Sequence, residues 1–131
     1  MRVVGKLLVA FVAVQHFAFL VLEMFLWTEP IGIRIFGLDP EFARQSATLA
    51  ANQGLYNGFL AAGLIWSLVR TVDARAKKIF FLSCVIVAGV FGAATAGPSI
   101  LFIQALPAMV ALGFTVLDKG GRNERPDAEA S

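Results

Sequence analysis

Apolar residues fill four long segments of this chain, and polar residues are concentrated in the stretches between them. The segments cover residues 3–27, 46–69, 76–96 and 99–117. Each is close to the roughly 20 residues that an α-helix needs to cross the hydrocarbon core of a bilayer. Because backbone polar groups inside a bilayer have to be satisfied within the segment, these four stretches are predicted to be helices. The pattern predicts an all-α fold, an integral membrane bundle of four transmembrane helices.

The connections between the segments differ in length and polarity. The first connection is long, residues 28–45, and contains Asp39 followed by Pro40. Asp is a favourable N-cap and Pro suits the first position of a helix. We therefore expect the second long helix to begin at Pro40, or a short surface helix to precede it. The four helices form one domain, residues 1–117, and the polar residues 118–131 are predicted to be a disordered tail.

Basic residues are distributed unequally between the two sides that four spans would create. The N-terminus, the second connection and the tail share one side, which carries nine of the eleven Lys and Arg residues. These are Arg2, Lys6, Arg70, Arg75, Lys77, Lys78, Lys119, Arg122 and Arg125. The other side carries only Arg34 and Arg44. Because basic residues are enriched in cytoplasmic loops, both termini are predicted to be cytoplasmic, an N-in and C-in topology.

Composition agrees with a membrane location and excludes some function classes. Hydrophobic residues make up 58% of the chain and charged residues 15%, whereas about a quarter of a soluble domain is charged. The basic residues lie beside apolar runs, singly or in short clusters, which does not predict nucleic-acid binding. The single cysteine, Cys84, excludes an intramolecular disulfide and dithiol redox chemistry.

Two ionisable residues, His16 and Glu23, interrupt the first apolar segment. They are seven residues apart, two turns, and so share one face of a helix. An ionisable residue inside a span is a functional-site hypothesis by default. We interpret His16 and Glu23 as an acid/base pair of catalytic residues, with Glu23 roughly 10 Å closer to the outer side. One His and one carboxylate at this spacing do not predict a zinc site, so no metal is predicted and any cofactor is unknown.

Polar residues on two other segments lie at matching depth. The residues predicted to bind a ligand are Asn52, Gln53, Tyr56, Asn57 and Gln104. On a helical wheel the four from the second segment form one continuous polar face. We expect Asn57 to meet His16, and Glu23 to meet Asn52, Gln53 or Gln104. The alternative is that these amides only join helices, since interhelical hydrogen bonds of this kind contribute about 0.6 to 2 kcal/mol each.

Two further features concern helix packing. Gly54 and Gly58 form a GxxxG pair, which lets another helix approach closely. Because so small a bundle has limited interior of its own, we expect a homo-oligomer, a dimer or trimer, or close packing within the bundle. Pro107 lies inside the fourth segment and predicts a kink there.

The stretches "QHFAFLVLEMFLW" and "FGLDPEFARQSATLAANQGLYNGFLAAGLIW" carry a resemblance. The sequence resembles a widespread bacterial family of small four-helix membrane proteins that is catalogued only as a domain of unknown function. The family's motif positions correspond here to His16, Glu23, Asn52, Gln53, Gly54, Tyr56 and Asn57. The resemblance implies a multi-pass protein of the bacterial cytoplasmic (inner) membrane in which these positions matter, and it implies no activity.

Two weaker similarities point to functions. The region from Asp39 to Asn57 is loosely similar to the membrane enzymes of eicosanoid and glutathione metabolism, which are trimers that bind glutathione between subunits. Their second-helix acidic residue and its Arg neighbour are absent here. Glu23 is similar in kind to the essential first-helix Glu of the small multidrug transporters, although their other motifs are absent.

Three functional interpretations follow. In the leading one, an outward-opening polar pocket within the membrane binds a lipophilic small molecule and transforms it by acid/base chemistry at Glu23 and His16, so that membrane lipid and this ligand are its partners. The second is a proton-coupled exporter that uses Glu23. The third is a non-catalytic structural or partner-binding membrane protein. Whether the protein is an enzyme, the sequence leaves open.

Overall fold

All regular secondary structure in the part of the chain that the structure describes, residues 2–118, is helical. The computed structural model contains five α-helices and a π-helical turn. They are α1 (Arg2–Met24), α2 (Pro30–Phe36), α3 (Pro40–Val69), α4 (Ala74–Thr95) and α5 (Leu106–Leu117), with the π-turn over Leu101–Ala105 directly before α5. The predicted all-α fold is confirmed. The predicted tail, apart from Asp118, lies outside the described residues.

The long helices differ in how well they suit a membrane. Two of them, α1 and α4, are long and apolar enough to cross one by length and composition. The π-turn and α5 together form a shorter apolar helix over residues 101–117. Helix α3 has 30 residues, about 45 Å of helix, so it is longer than the hydrocarbon core is thick. Its first turns, which contain Glu41 and Arg44, are polar.

The four long helices form an antiparallel ring in which each packs on two neighbours. Helix α1 contacts α3 most extensively, α4 packs on α3, and α5 closes the ring against α1 and α4. Small residues set the spacing. A Cβ added to Gly58 would overlap Leu20 Cδ1, and one added to Gly89 would lie 2.9 Å from Ala105 Cβ. The centre is aliphatic and consists of Val9, Val12, Ala13, Leu64, Leu82, Val85, Ala108 and Ala111.

The antiparallel order gives the bundle two chemically different ends. The basic end holds the start of α1, the link from α3 to α4, and the end of α5. Arg2 Nε lies 3.6 Å from Asp118 Oδ1, which brings the first and last described residues together there. The loop end holds the connection between α1 and α3, including α2, and the short link from α4 to the π-turn.

Local sequence signals explain the loop end. Asp39 Oδ1 accepts hydrogen bonds from the backbone N–H groups of Glu41 (2.9 Å) and Phe42 (3.1 Å), so Asp39 is the N-cap of α3. The prediction that this helix begins at Pro40 is confirmed. The short helix that the sequence left open is α2, which ends at Gly37 in the left-handed region, with φ of 62°.

Aromatic contacts hold α2 and its flanking loop to α3. The indole N–H of Trp27 donates to Ser46 Oγ at 3.0 Å. The ring of Trp27 packs on Phe36 with 4.9 Å between centroids. The first turns of α3 and α2 therefore form one structural unit at the loop end.

Candidate functional site

A hydrogen-bonded pair of polar side chains, Glu23 and Asn57, joins α1 and α3. Asn57 Nδ2 donates to Glu23 Oε2 at 2.7 Å, and Asn57 is only 5% exposed. Glu23 is half-buried. Gly54, one turn before Asn57, makes the approach possible: a Cβ there would lie 2.7 Å from Met24 Cγ and 3.1 Å from Glu23 Cβ. The GxxxG pair thus packs inside the bundle and brings the carboxylate to the amide.

His16 lies deeper in the bundle on the same helix. Its side chain is fully buried, and Nδ1 is 2.9 Å from the carbonyl oxygen of Val12, one turn earlier. Because a carbonyl oxygen only accepts, Nδ1 carries the proton of this hydrogen bond. The neutral ring then has a lone pair at Nε2, which has no hydrogen-bond partner among the described residues. An unpaired polar atom in an apolar interior is costly and calls for an explanation.

The sequence predicted different pairs from those that the structure forms. Asn57 was expected beside His16 and instead contacts Glu23. Asn52 and Gln53 are exposed, and neither side chain forms a hydrogen bond within residues 2–118. Both lie near the level of Met24, the last residue of α1, since Gly54 packs on Met24. They therefore belong to the rim of the bundle rather than to its interior.

Tyr56 and Gln104 form no hydrogen bond with Glu23 either. Tyr56 is 55% exposed and its ring meets Phe59 edge-on, with 5.9 Å between centroids. Gln104 is half-buried in the π-turn and forms no side-chain hydrogen bond within the described residues. Of the predicted ligand-binding residues, all of which the structure describes, only Asn57 forms a hydrogen bond with a predicted catalytic residue.

Gln15 forms a polar contact between helices, although the sequence did not predict it to be a site residue. Its Nε2 donates to the carbonyl oxygen of Ile103 in the π-turn at 2.6 Å. Four residues after Ile103 stands Pro107, which has no N–H to donate to that carbonyl. The π-turn directly precedes Pro107 and adjusts the helix to it, as π-bulges do. The signal in the sequence was Pro107 itself, since the carbonyl four residues before a helical proline needs another donor.

Groups for metal binding do not come together in the part of the chain that the structure describes. No set of three His, Cys, Asp or Glu side chains is close enough to hold an ion. Two buried hydroxyl groups, on Ser67 and Thr115, donate to backbone carbonyl oxygens one turn earlier on their own helices. The other interior polar groups of the described chain are one carboxylate with its amide, one imidazole with an unpaired nitrogen, and one Gln. Gln15 Oε1, like His16 Nε2, is buried without a partner among these residues. Such groups can donate, accept and transfer protons.

Comparison with known proteins places this arrangement in a family. Residues 10–116 match the family described as "Protein of unknown function (DUF1304)". The chain belongs to this family. The matched residues include α1 from its third turn and the whole of α3 and α4, so the Glu23–Asn57 pair and His16 lie within the family region. The predicted resemblance to a bacterial family of unknown function is confirmed.

A curated relative aligns with this chain over most of the length of both proteins. The chain is 28% identical over 114 residues to the "Uncharacterized protein YpaA" of Lactococcus lactis subsp. lactis (strain IL1403). The alignment covers 86% of this chain and 96% of that protein. No solved structure matches the chain. These comparisons assign membership and bring no activity.

Proposed function

We propose that this protein is a four-span membrane protein in which Glu23, Asn57 and His16 receive the polar end of a lipophilic small molecule. The observation that carries the proposal is the Glu23–Asn57 pair, in which a half-buried carboxylate accepts from a buried amide, with 2.7 Å between Asn57 Nδ2 and Glu23 Oε2. Ionisable side chains at such positions are rare and mark binding or proton-transfer sites. The bundle itself would be stable with apolar residues there.

The membrane location is supported by the surface of the bundle. Large apolar side chains are exposed along all four long helices, and they include Phe11, Phe17, Phe59, Phe80, Phe91 and Phe102. A continuous apolar surface of this kind suits lipid rather than water. Both described termini lie at the basic end, and basic residues favour the cytoplasmic side. We therefore propose four spans with both termini in the cytoplasm and the loop end outside.

The chemistry follows from the positions of the groups. Glu23 directly precedes the last residue of α1, so it lies at the loop end, near enough to the rim for a ligand to enter from outside. Asn57 fixes one carboxylate oxygen, so the other remains for a ligand group. The lone pair of His16 Nε2 would accept a hydrogen bond or a proton farther inside. Glu23 and His16 are thus the groups that would transfer protons, and Gln53 and Gln104 would line the approach.

Recovery of a bound molecule tests the proposal. Wild-type protein, Glu23→Gln and Glu29→Gln are purified in a mild detergent, and their organic extracts are compared by untargeted mass spectrometry. Gln keeps an oxygen that accepts from Asn57, so Glu23→Gln should remain folded. Glu29 is exposed at the loop end and makes no side-chain cap for α2, so Glu29→Gln removes the same charge without touching the site.

We expect compounds that are present in the wild-type and Glu29→Gln extracts and at least about fivefold depleted from Glu23→Gln. Equal extracts from all three proteins, with equal melting temperatures, would leave Glu23 without a ligand and favour a structural role. If proteoliposomes show proton-driven flux that is lost only in Glu23→Gln, the function is proton-coupled export, and the proposal of ligand binding alone is wrong. A cysteine label in the α2 loop that reacts from the cytoplasmic side would refute the topology.

A further inference from the structure

A second polar site lies at the opposite end of the bundle from Glu23. A cavity of about 740 Å³ opens between the starts of α1 and α4 and the end of α5. The charged side chains that line it are Arg2, Lys6, Asp73, Arg75, Lys78 and Asp118. Four cations from two helices thus converge with two carboxylates on one concave surface. None of these residues belongs to the proposed Glu23 site.

Some of these charged side chains already have partners within the chain. The Arg2 guanidinium pairs with Asp118. Arg75 donates to the backbone carbonyl oxygens of Val116 at 2.9 Å and Thr115 at 3.4 Å, at the C-terminal end of α5. Cations are favourable at that end because its free carbonyl groups carry partial negative charge. Arg75 therefore serves the structure of the cavity wall.

The two lysines are different. Lys6 and Lys78 line the cavity from α1 and α4, and no described carboxylate lies within ion-pair distance of either. The like charge of Lys6 acts on Lys78, and the carboxylate of Asp118 on the same cavity offsets part of that repulsion. Because Asp118 also pairs with Arg2, the repulsion between the two ammonium groups is only partly compensated, and an anion between them would relieve the rest.

The surroundings of the cavity indicate what kind of anion fits. Apolar side chains, Ile79 and Phe114 among them, complete its walls. Exposed apolar residues continue from it along the bundle, and on α1 they are Val3, Val4 and Leu7. A fully hydrated anion would gain nothing from these neighbours. A molecule with an anionic head and hydrocarbon chains would place its head between the lysines and its chains along α1.

The tail of the chain is a less suitable occupant. Residues 119–131 contain three basic and three acidic residues, so the segment brings no net negative charge to the lysines. Anionic phospholipids such as phosphatidylglycerol bring one net negative charge and an acyl pair, and basic pockets between helices on the cytoplasmic side bind anionic head groups.

We propose that this cavity binds the phosphate head group of an anionic phospholipid, with Lys6 and Lys78 as the residues that contact the phosphate. The site is independent of the ligand site proposed at Glu23, and each can fail without the other. It would anchor the starts of α1 and α4 to one lipid molecule and fix the height of the basic end in the membrane.

Lipid binding by the full chain tests this site. Delipidated protein in detergent micelles is titrated with phosphatidylglycerol and with phosphatidylcholine of the same acyl chains, and binding is followed by native mass spectrometry. The test variant is Lys6→Gln/Lys78→Gln. The matched control is Arg70→Gln/Lys77→Gln, which removes two charges at the same end from residues that do not line the cavity; Lys77 instead lies 4.1 Å over the Trp66 ring.

We expect phosphatidylglycerol to bind the wild type roughly tenfold or more tightly than phosphatidylcholine, and to lose roughly tenfold or more of its affinity in the Lys6→Gln/Lys78→Gln variant. The control should change by less than about threefold, and Lys6→Arg/Lys78→Arg should keep binding even if the Gln variant folds poorly. Equal losses in test and control variants would mean diffuse attraction, not a site, and would overturn the proposal.

Two additions identify the source of the anion. Inorganic phosphate and glycerol 3-phosphate, at concentrations equal to the lipid, should not displace phosphatidylglycerol; displacement would make a free phosphate the ligand and refute the lipid. Neutralising the tail by Glu124→Gln, Asp127→Asn and Glu129→Gln should leave lipid affinity unchanged. A tenfold gain in affinity would show that the tail occupies the cavity instead.

Discussion

Two sets of amides on α3 have the same chemistry and opposite surroundings. Asn57 faces α1, is almost fully buried and donates to Glu23. Asn52 and Gln53, a little more than one turn earlier, are exposed. The depth of an amide along the helix therefore does not determine whether it hydrogen-bonds to Glu23. The face of the helix that carries the amide determines this.

Small residues determine which face is which. Ala50, Gly54, Asn57 and Ala61 are all buried against neighbouring helices. They follow the spacing of three and four residues that keeps one face of a helix toward its neighbour. At 100° per residue, Asn52 lies about 160° from Gly54 and so points away from α1. Mutations on the two faces should consequently differ in the free energy of unfolding.

The largest difference is expected where α1 and α3 are closest. Gly54→Ala places a Cβ 2.7 Å from Met24 Cγ and 3.1 Å from the Met24 backbone nitrogen, so the helices have to separate. We expect a loss of about 2 to 3 kcal/mol in the free energy of unfolding in detergent, in the upper range for overpacking. Gly113→Ala is the control, since a Cβ there meets nothing within 4 Å, and should be neutral or stabilising by about 0.5 to 1 kcal/mol. Equal destabilisation in both would contradict the close approach.

The Glu23–Asn57 hydrogen bond should give the next largest effect. Asn57→Leu keeps the size of the side chain and leaves the carboxylate without its amide donor, a cost of about 2 kcal/mol. The double variant Glu23→Leu/Asn57→Leu removes both polar groups and should recover most of that loss, because replacing both partners is close to neutral. The measurement is a double-mutant cycle by chemical denaturation; strictly additive losses would show that the pair is not coupled.

Gln15→Leu tests the contact between α1 and the π-turn. It removes the donor to the Ile103 carbonyl and should cost about 1 kcal/mol, a common size for interhelical hydrogen bonds in membranes. In a Pro107→Ala background the new backbone N–H can serve that carbonyl, so the same mutation should cost less than half as much. If Gln15→Leu costs the same in the Pro107→Ala background, the Gln15 hydrogen bond does not compensate for the N–H that Pro107 lacks.

The smallest effect is expected on the outer face. Asn52→Leu exchanges an exposed amide that has no side-chain hydrogen bond in the described chain, so the free energy of unfolding should change by less than about 0.5 kcal/mol. The sequence analysis made Asn52 a possible partner of Glu23, and that role would require a loss as large as that of Asn57→Leu. Thermal unfolding of the two variants side by side decides between them.

Much of the fold could be predicted because it depends on long local signals. The four apolar segments form helices, and the N-cap Asp39 with Pro40 predicted the start of α3. Pro107 predicted an irregular helix and the structure has a π-turn directly before it. The Gly54–Gly58 pair was read as a surface for another chain or for packing within the bundle. It packs against α1, so it no longer supports a dimer or trimer, which stays a prediction.

The composition of the site could be predicted only in part. His16 and Glu23 stand out as polar residues in an apolar segment, and Asn57 lies at a compatible depth. The hydropathy pattern could not say which face of α3 turns inward, because apolar residues occupy both the interior and the outer surface of such a bundle. Ala50, Gly54 and Ala61 carried that information through their size, and a wheel centred on them places Asn57 inside and Asn52 outside.

The contact between Gln15 and Ile103 has a consequence for biosynthesis. The two residues are 88 positions apart, so at typical translation rates the ribosome adds Gln15 on the order of 4 to 18 s before it adds Ile103. For most of that interval α1 is complete in length and lacks the acceptor for its Gln15 amide. Premature termination anywhere before residue 103 therefore leaves the Gln15 amide on α1 without the acceptor that it has in the complete bundle.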